Sequence, residues 1–339
     1  MDAGAPLVRV VHLQRRAFDG HHSIERVFEQ VRRHLPGRFE ADALVVPYYS
    51  KSVLPRLATV LYARRHQGDV THVTGDINFA VLLMRRQSTV LTVHDTEFLD
   101  RASGLKRLLY LWLWLRLPAR RAAVVTVPSE ATKSDLLRQV RIDPATIRVI
   151  ANPVDEDYVQ STATPPAPGA RPTVLLVGTR PNKNVGRSTE ALEGLECDVV
   201  VVGRLDAGQR AAFERAGLRY RELLGAGDKA VRAAYEDCAL LLFPSTKEGF
   251  GLPVIEAQAT GRPVVTSDTS PLKDVAGGAA CLVDVLDVAS IRAGVERVLA
   301  DAGYRDSLVR AGLDNVKRFR PDSVAAEYAA VYDEVASRE

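Results

Sequence analysis

Short apolar runs and helix-spaced apolar residues alternate along almost the whole chain. Leu7–Leu13, Ala43–Pro47, Val90–Val93, Val124–Val127 and Ile147–Ile150 are brief and β-branched, as strands buried on both faces are. Between the first two, Ile24, Val27, Phe28 and Val31 recur at helical spacing, which predicts a helix over Ser23–Leu35 with Ser23 as its N-cap. Gln160–Arg171, rich in Pro, Ala and Thr, reads as a linker. The alternation then restarts. Thr173–Val177, Asp198–Val202, Leu240–Phe243, Pro263–Thr266 and Ala280–Val283 read as a second set of strands. Asp322–Ala336 reads as a closing helix with Val324, Tyr328, Val331 and Val335 on one side. The expected class is α/β, with two Rossmann-like, doubly wound parallel-sheet domains at 1–160 and 172–320 facing across a cleft. Residues 321–339 form a helix expected to pack back towards the first domain.

Bulk composition narrows this picture without changing it. A chain of 339 residues, 46% hydrophobic and 26% charged, suits two packed cores and has no polar tract that would prevent them. Cys197, Cys238 and Cys281 lie far apart beside small apolar residues, so they read as core thiols of a reducing compartment, neither a disulfide frame nor a zinc site. No signal-peptide pattern opens the chain, and the longest apolar run, Leu108–Leu115, falls well short of the roughly 20 residues a span needs. The expected location is the cytoplasm. Basic residues exceed acidic by six through residue 160, and acidic exceed basic by three afterwards. That scattered excess does not make the dense stripe nucleic acid demands, so no nucleic-acid partner is expected. It suits an acidic acceptor or an anionic membrane surface on the first half.

The chemistry concentrates in Phe243–Asp268, FPSTKEGFGLPVIEAQATGRPVVTSD. A strand ends at Phe243, and a loop carries Glu248. Gly249 and Gly251 allow close backbone approach to a ligand. Pro253 suits the first helical turn and Gly261 the helix end, so amides near Gly251 and Leu252 open a helix N-terminus suited to phosphate. Seven residues separate Glu248 from Glu256, which puts one before the helix and the other in its first turn, both able to flank one ligand. The competing reading is a solvated loop glutamate and a glutamate answering the helix dipole.

This stretch resembles the E-x7-E signature of retaining GT-B glycosyltransferases, in particular glycosyltransferase family 4. Further segments fit the same family in order: Val93-His94-Asp95; Pro128-Ser129-Glu130 with Lys133; Val149–Asp155 (VIANPVD); Val177–Asn184 (VGTRPNKN); and the strand and Ser-Asp turn opening Val264–Asp287. The resemblance covers about residues 90–290.

The resemblance implies a GT-B fold and a set of roles. A departing nucleoside diphosphate gains charge, so cations and amides aimed at it stabilise the transition state more than the ground state. Arg180 and Lys183, in the loop opened by Gly178, would grip the diphosphate; their alternative is two solvated loop cations. This loop is one residue shorter than the family's usual pattern, with Asn182 where Arg is common. Glu256 would bond the ribose hydroxyls and Glu248 those of the donor sugar. The amides of Phe250, Gly251 and Leu252 would meet phosphate or sugar, and Gly203 and Arg204 would line the base pocket. His94 would lie near the reacting bond, unless it is a core or turn histidine, while Asp95 caps the turn. No cofactor is implied, because the nucleotide sugar is a substrate, and no metal: Asp155-Glu156-Asp157 spells D-x-D but precedes the linker instead of ending a nucleotide-domain strand.

On the acceptor side, Arg15, His21 and His22 replace the family's usual Gly-Gly pair, either to recognise an acceptor or as solvated loop residues. Leu105–Arg121 (LKRLLYLWLWLRLPARR) combines Trp112, Trp114 and leucines with five basic residues. It reads either as a helix docking on the inner membrane surface, where a lipid-linked acceptor lies, or as a buried helix with cationic ends.

The expected activity is retaining transfer of a hexosyl group to a glycan or lipid-linked acceptor in surface polysaccharide or glycolipid assembly. The GTRPNKN loop favours GDP-mannose over UDP-glucose or UDP-N-acetylglucosamine. The rivals are a GT-B nucleotide-sugar epimerase or phosphorylase and a non-catalytic glycan-binding protein of the same fold, which would be expected to lose Glu248 or Lys183. No G-x-G-x-x-G follows any strand, which disfavours a dinucleotide oxidoreductase.

Overall fold

The computed structural model describes residues 6–16, 23–50, 52–100, 102–160, 171–225 and 227–338. The chain divides into two compact units, Met1–Pro153 with Arg320–Glu339, and Val154–Phe319. Val154–Gln160 therefore goes with the second unit, where the Val154 amide donates to the Phe319 carbonyl at 2.9 Å. Most of the expected linker lies outside the described residues.

The first unit runs β1 (Val8–Gln14), α1 (Ser23–His34), β2 (Phe39–Val45), α2 (Val53–Arg65), β3 (Val70–Val73), β4 (Thr89–Thr92), α3 (Gly104–Tyr110), α4 (Leu117–Arg121), β5 (Val124–Val127), α5 (Glu130–Gln139) and β6 (Ile147–Val149). Its strands lie in the order β2-β1-β3-β4-β5-β6, every pair parallel. β3 was not among the expected strands. Its sequence, VTHV, carries two polar residues, yet all four are buried: Thr71 Oγ1 accepts from the Gly68 amide at 3.1 Å, and His72 bonds to side chains of other elements.

The second unit runs β7 (Thr173–Val177), α6 (Val185–Leu192), β8 (Asp198–Val202), α7 (Ala207–Arg215), β9 (Arg219–Leu223), α8 (Asp228–Asp237), β10 (Leu240–Phe243), α9 (Leu252–Ala259), β11 (Val264–Ser267), α10 (Leu272–Ala276), β12 (Cys281–Val283), α11 (Val288–Ala300) and α12 (Ala302–Asn315). The strand order is β12-β11-β10-β7-β8-β9, again parallel throughout. β9 also escaped the apolar-run criterion: RYREL is a half-exposed edge strand. Sequence order reverses between β7 and β10, and such a switch point, at the carboxyl ends of the strands, is where ligands bind in open parallel sheets. All three cysteines are buried and free; burial pushes the Cys238 thiol up to about 12, which keeps it protonated and unreactive.

The last helix, α13 (Pro321–Ala336), belongs to the first unit and packs on α1. Tyr328 and Tyr332 bury completely there. Tyr332 Oη lies 2.8 Å from both His12 Nε2 and His72 Nδ1, and His72 Nε2 lies 2.7 Å from Thr92 Oγ1. Arg32 donates to His12 Nδ1 at 3.2 Å. Since a guanidinium only donates, His12 keeps its proton on Nε2 and gives it to Tyr332. The phenol then donates to His72, whose Nε2–H serves Thr92. The chain is satisfied only with both imidazoles neutral. Burial, the largest cause, holds His12 well below its ordinary value and His72 at about 3.

Leu105–Arg121 is not one buried helix. It consists of α3, a π-helical stretch over Leu111–Arg116, and α4. Leu111, Leu115, Pro118 and Ala119 are buried, but α3 buries none of its side chains. The widened turn changes which face points inward. Among the described residues no helix is long and apolar enough to cross a membrane.

Candidate active site

The loop after β7 and the loop after β10 meet at the reversal of the second sheet. Gly178 takes a positive φ of 87°, and a Cβ there would stand 3.0–3.4 Å from the stem of Lys183. Glycine thus lets the chain fold back while the lysine passes beside it. Pro181–Lys183 forms a short 3-10 turn, ended by Asn184 in the left-handed region at φ 58°. Asn184 Nδ2 donates to the carbonyls of Pro244 at 3.2 Å and Val285 at 2.7 Å, fixing the turn against the ends of β10 and β12.

From this turn Lys183 Nζ reaches Glu248 Oε1 at 2.5 Å, with both side chains largely shielded. The ammonium also sits 4.5 Å from the centre of the Phe243 ring. Asn182 donates to the Lys247 carbonyl at 2.9 Å, and its backbone carbonyl accepts from the Thr246 amide at 2.9 Å. The two loops are therefore stitched by backbone, amide and ion pair together. Shielding makes this pair costly to break by removing one partner, because the other charge is then left unpaired away from water.

Beyond Glu248 the chain enters α9 through Gly251, whose φ is 114° and whose added Cβ would fall 2.4 Å from Leu272 Cδ2. Pro253 occupies the first turn. The start of α9, which directly follows the loop carrying Glu248, offers first-turn amides of the kind suited to an anion. Phe250 is buried edge-on against Phe319 at 5.7 Å, so its contribution is its backbone. Glu256 lies in the second turn of α9, not the first, because the helix begins at Leu252. Its Oε2 accepts from Tyr235 Oη at 2.6 Å. Tyr235 is fully buried, with Tyr158 edge-on at 5.5 Å; burial and the Glu256 charge push its phenol well up, so it remains a donor. Sequence reasoning missed Tyr235, which is one more apolar-facing residue in α8 until its hydroxyl is seen to reach Glu256.

Arg180 and Arg204 are exposed. Arg204 follows Gly203, which holds a φ of 127°, and its carbonyl accepts from Thr179 Oγ1 at 2.8 Å. Thus Gly178, Arg180, Lys183, Gly203, Arg204, Glu248, Gly251 and Leu252 all sit on loops or a helix start at the carboxyl ends of β7, β8 and β10, with Glu256 one turn deeper.

In the first unit, His94 follows β4 by two residues, and its Nε2 donates to the Thr74 carbonyl at 2.8 Å. Asp95 accepts from the Glu97 amide at 2.9 Å, capping the turn. Arg15 is engaged by Glu25 Oε1 at 3.0 Å and Asp76 Oδ2 at 2.6 Å, so any acceptor role competes with two carboxylates. His21 and His22 lie outside the described residues. In the D-x-D segment, Asp155 accepts from the Asp157 amide and Asp157 pairs with Arg232.

Residues 5–158 match the family model "Glycosyltransferase Family 4", and residues 171–301 match "Glycosyl transferases group 1". The chain belongs to the family 4, group 1 glycosyltransferases. Its similarity to the MMP alpha-(1->4)-mannosyltransferase of Mycolicibacterium hassiacum is 27% identity, covering 84% of this chain and 74% of that protein. The O-antigen chain mannosyltransferase RfbU of Salmonella typhimurium is 25% identical, covering 70% and 68%. A phosphatidyl-myo-inositol mannosyltransferase of Mycobacterium leprae is 31% identical over 49% of this chain and 47% of its own. Among solved structures, HepE of Anabaena, in complex with UDP and glucose, superposes with a TM-score of 0.77 at 16% identity, covering 96% of this chain and 99% of that one. Sucrose-phosphate synthase of Thermosynechococcus elongatus gives 0.81 at 16%, covering 98% and 100%. At that identity the likeness shows the fold, GT-B. The glycosyltransferase is thus an enzyme of glycan assembly, with its shielded ion pair at the switch point of the second sheet.

Proposed function

We propose that this glycosyltransferase transfers a hexosyl group, mannose foremost, from a nucleotide-sugar donor to a glycan or lipid-linked acceptor, with retention at the anomeric carbon and without a bound metal. The observation that carries the reading is the Lys183–Glu248 pair, 2.5 Å apart beside the entry to α9. A diphosphate competes with Glu248 for the ammonium. Once Lys183 turns to phosphate, the Glu248 carboxylate is released to accept from sugar hydroxyls. Arg180 and the amides at Gly251 and Leu252 add positive potential where the leaving group gains charge. Glu256, held by Tyr235, accepts from the ribose.

In the proposed step, the acceptor oxygen bonds to the anomeric carbon on the face the diphosphate leaves. The carbon–oxygen bond to phosphate breaks, and the acceptor proton passes to the departing phosphate oxygen. Mannose leads because the three sequence relatives named above are mannosyltransferases. Metal-free action is supported by the engagement of Asp157 with Arg232 and by a cationic loop positioned to do what a metal would. The three free thiols suit the cytoplasm, where reducing conditions prevail.

A thermal-shift panel of GDP-mannose, UDP-glucose and UDP-N-acetylglucosamine tests the donor. The true donor should stabilise by about 2.7 kcal/mol at a hundredfold excess over its dissociation constant. NMR of the product should show the donor's anomeric configuration. An inverted product removes the retaining reading, and no stabilisation by any nucleotide sugar removes the donor site.

A further inference from the structure

We propose that α2 and α3, with the π-helical stretch that continues α3, form a single docking face for an anionic lipid surface. α3 carries Leu105, Leu108 and Leu109 with no buried side chain, and Trp112 is exposed one turn on. α2 turns Leu54 and Leu57 outward while Thr59, Val60 and Ala63 join the core. Leu54 is 78% exposed and Leu105 71%, and exposed apolar side chains that cluster within a polar rim mark protein or membrane contact sites. The two elements are neighbours: the Arg56 guanidinium of α2 stacks on Trp114 of the π-helical stretch, 4.6 Å from its centre.

Charge selects the occupant. Residues 52–66 and 103–121 contain no Asp or Glu, whereas Arg64, Arg65, Lys106, Arg107 and Arg120 are exposed around the apolar residues. A second copy meeting this face through a two-fold axis would set arginine against arginine with no carboxylate to answer. A bilayer rich in anionic headgroups satisfies both halves: leucines and tryptophan enter the headgroup boundary, and the cations meet phosphate. The face is in the first unit and needs no bound donor, so it stands or falls independently of the donor site.

Co-sedimentation of the whole protein with phosphatidylglycerol-rich vesicles, against pure phosphatidylcholine, tests it. Binding should favour the anionic vesicles and weaken as salt is raised. The pairs Leu54→Ser/Leu57→Ser and Leu105→Ser/Leu109→Ser, made at exposed positions that leave the core intact, should each reduce binding on the order of tenfold. Failure of the unaltered protein to sediment overturns the proposal. Unchanged binding by the α2 pair overturns the two-element face. A concentration-dependent dimer in analytical ultracentrifugation that either pair abolishes assigns the face to a second copy and overturns it as well.

Discussion

Lowering the pH from about 7 to about 5 should destabilise the first unit through the chain Arg32–His12–Tyr332–His72–Thr92. Both imidazoles are neutral in the fold because burial depresses them, His72 to about 3. In the unfolded chain each returns to an ordinary value near 6.5. The unfolded state therefore binds more protons over this window, and stability falls as pH falls. The loss begins near the unfolded value and continues until the folded value is reached. For His72 alone, the step from pH 7 to pH 5 costs about 2 kcal/mol, and His12 adds to it with the same sign. Against a typical domain stability of roughly 5–15 kcal/mol this is a large fraction. Both tryptophans, Trp112 and Trp114, belong to the first unit, so urea unfolding followed by tryptophan fluorescence reports on that unit. The midpoint should drop between the two pH values, and His72→Gln, which cannot titrate, should flatten the dependence. An unchanged midpoint, or a His72 ring seen by NMR to titrate near neutrality in the folded protein, refutes the reasoning.

The same chain predicts that Tyr332→Phe, which leaves nitrogens of two buried imidazoles without a partner, costs the first unit about 1–3 kcal/mol by the same fluorescence assay. Gly251→Ala must adopt a φ near 114° and displace Leu272; a loss of about 1–3 kcal/mol in calorimetry is expected, partly relieved by Leu272→Ala, because the strain has a backbone and a steric part. Tyr235→Phe removes the phenol that holds Glu256; nucleotide-sugar affinity should fall on the order of tenfold while kcat at saturation changes less. Equal affinity in that variant would mean that Tyr235 only fills the core.

Strands made of unbroken apolar residues were legible in the sequence: Thr173–Val177, Asp198–Val202 and Leu240–Phe243 coincide with β7, β8 and β10. β3 was not, because its His72 is buried by bonds to Tyr332 and Thr92, distant partners that local polarity does not register. β9 was missed for the opposite reason, since an edge strand exposes polar side chains. Within the site, Lys183 and Glu248 were each visible through their loops, but the bond between them depends on β7 and β10 being neighbours. That adjacency follows from sheet order, not from spacing along the chain. Tyr235 lies 21 positions before Glu256, and no local pattern links them. The Leu105–Arg121 stretch shows the limit of hydrophobic counting: its apolar residues suggested burial, whereas the π-helical stretch splits them between the core and the surface.

The central claim, that Lys183 and Glu248 seat and orient a donor diphosphate sugar, is tested most directly by titrating the preferred nucleotide sugar into Lys183→Met and Glu248→Gln by calorimetry, with turnover measured in parallel. Truncating one member of a shielded charge contact typically costs about 2–5 kcal/mol, so Lys183→Met should bind the donor at least on the order of tenfold more weakly, while Glu248→Gln should bind within a few-fold of the unaltered enzyme and lose turnover. Lys183→Met that binds and turns over the donor like the unaltered enzyme would contradict the account.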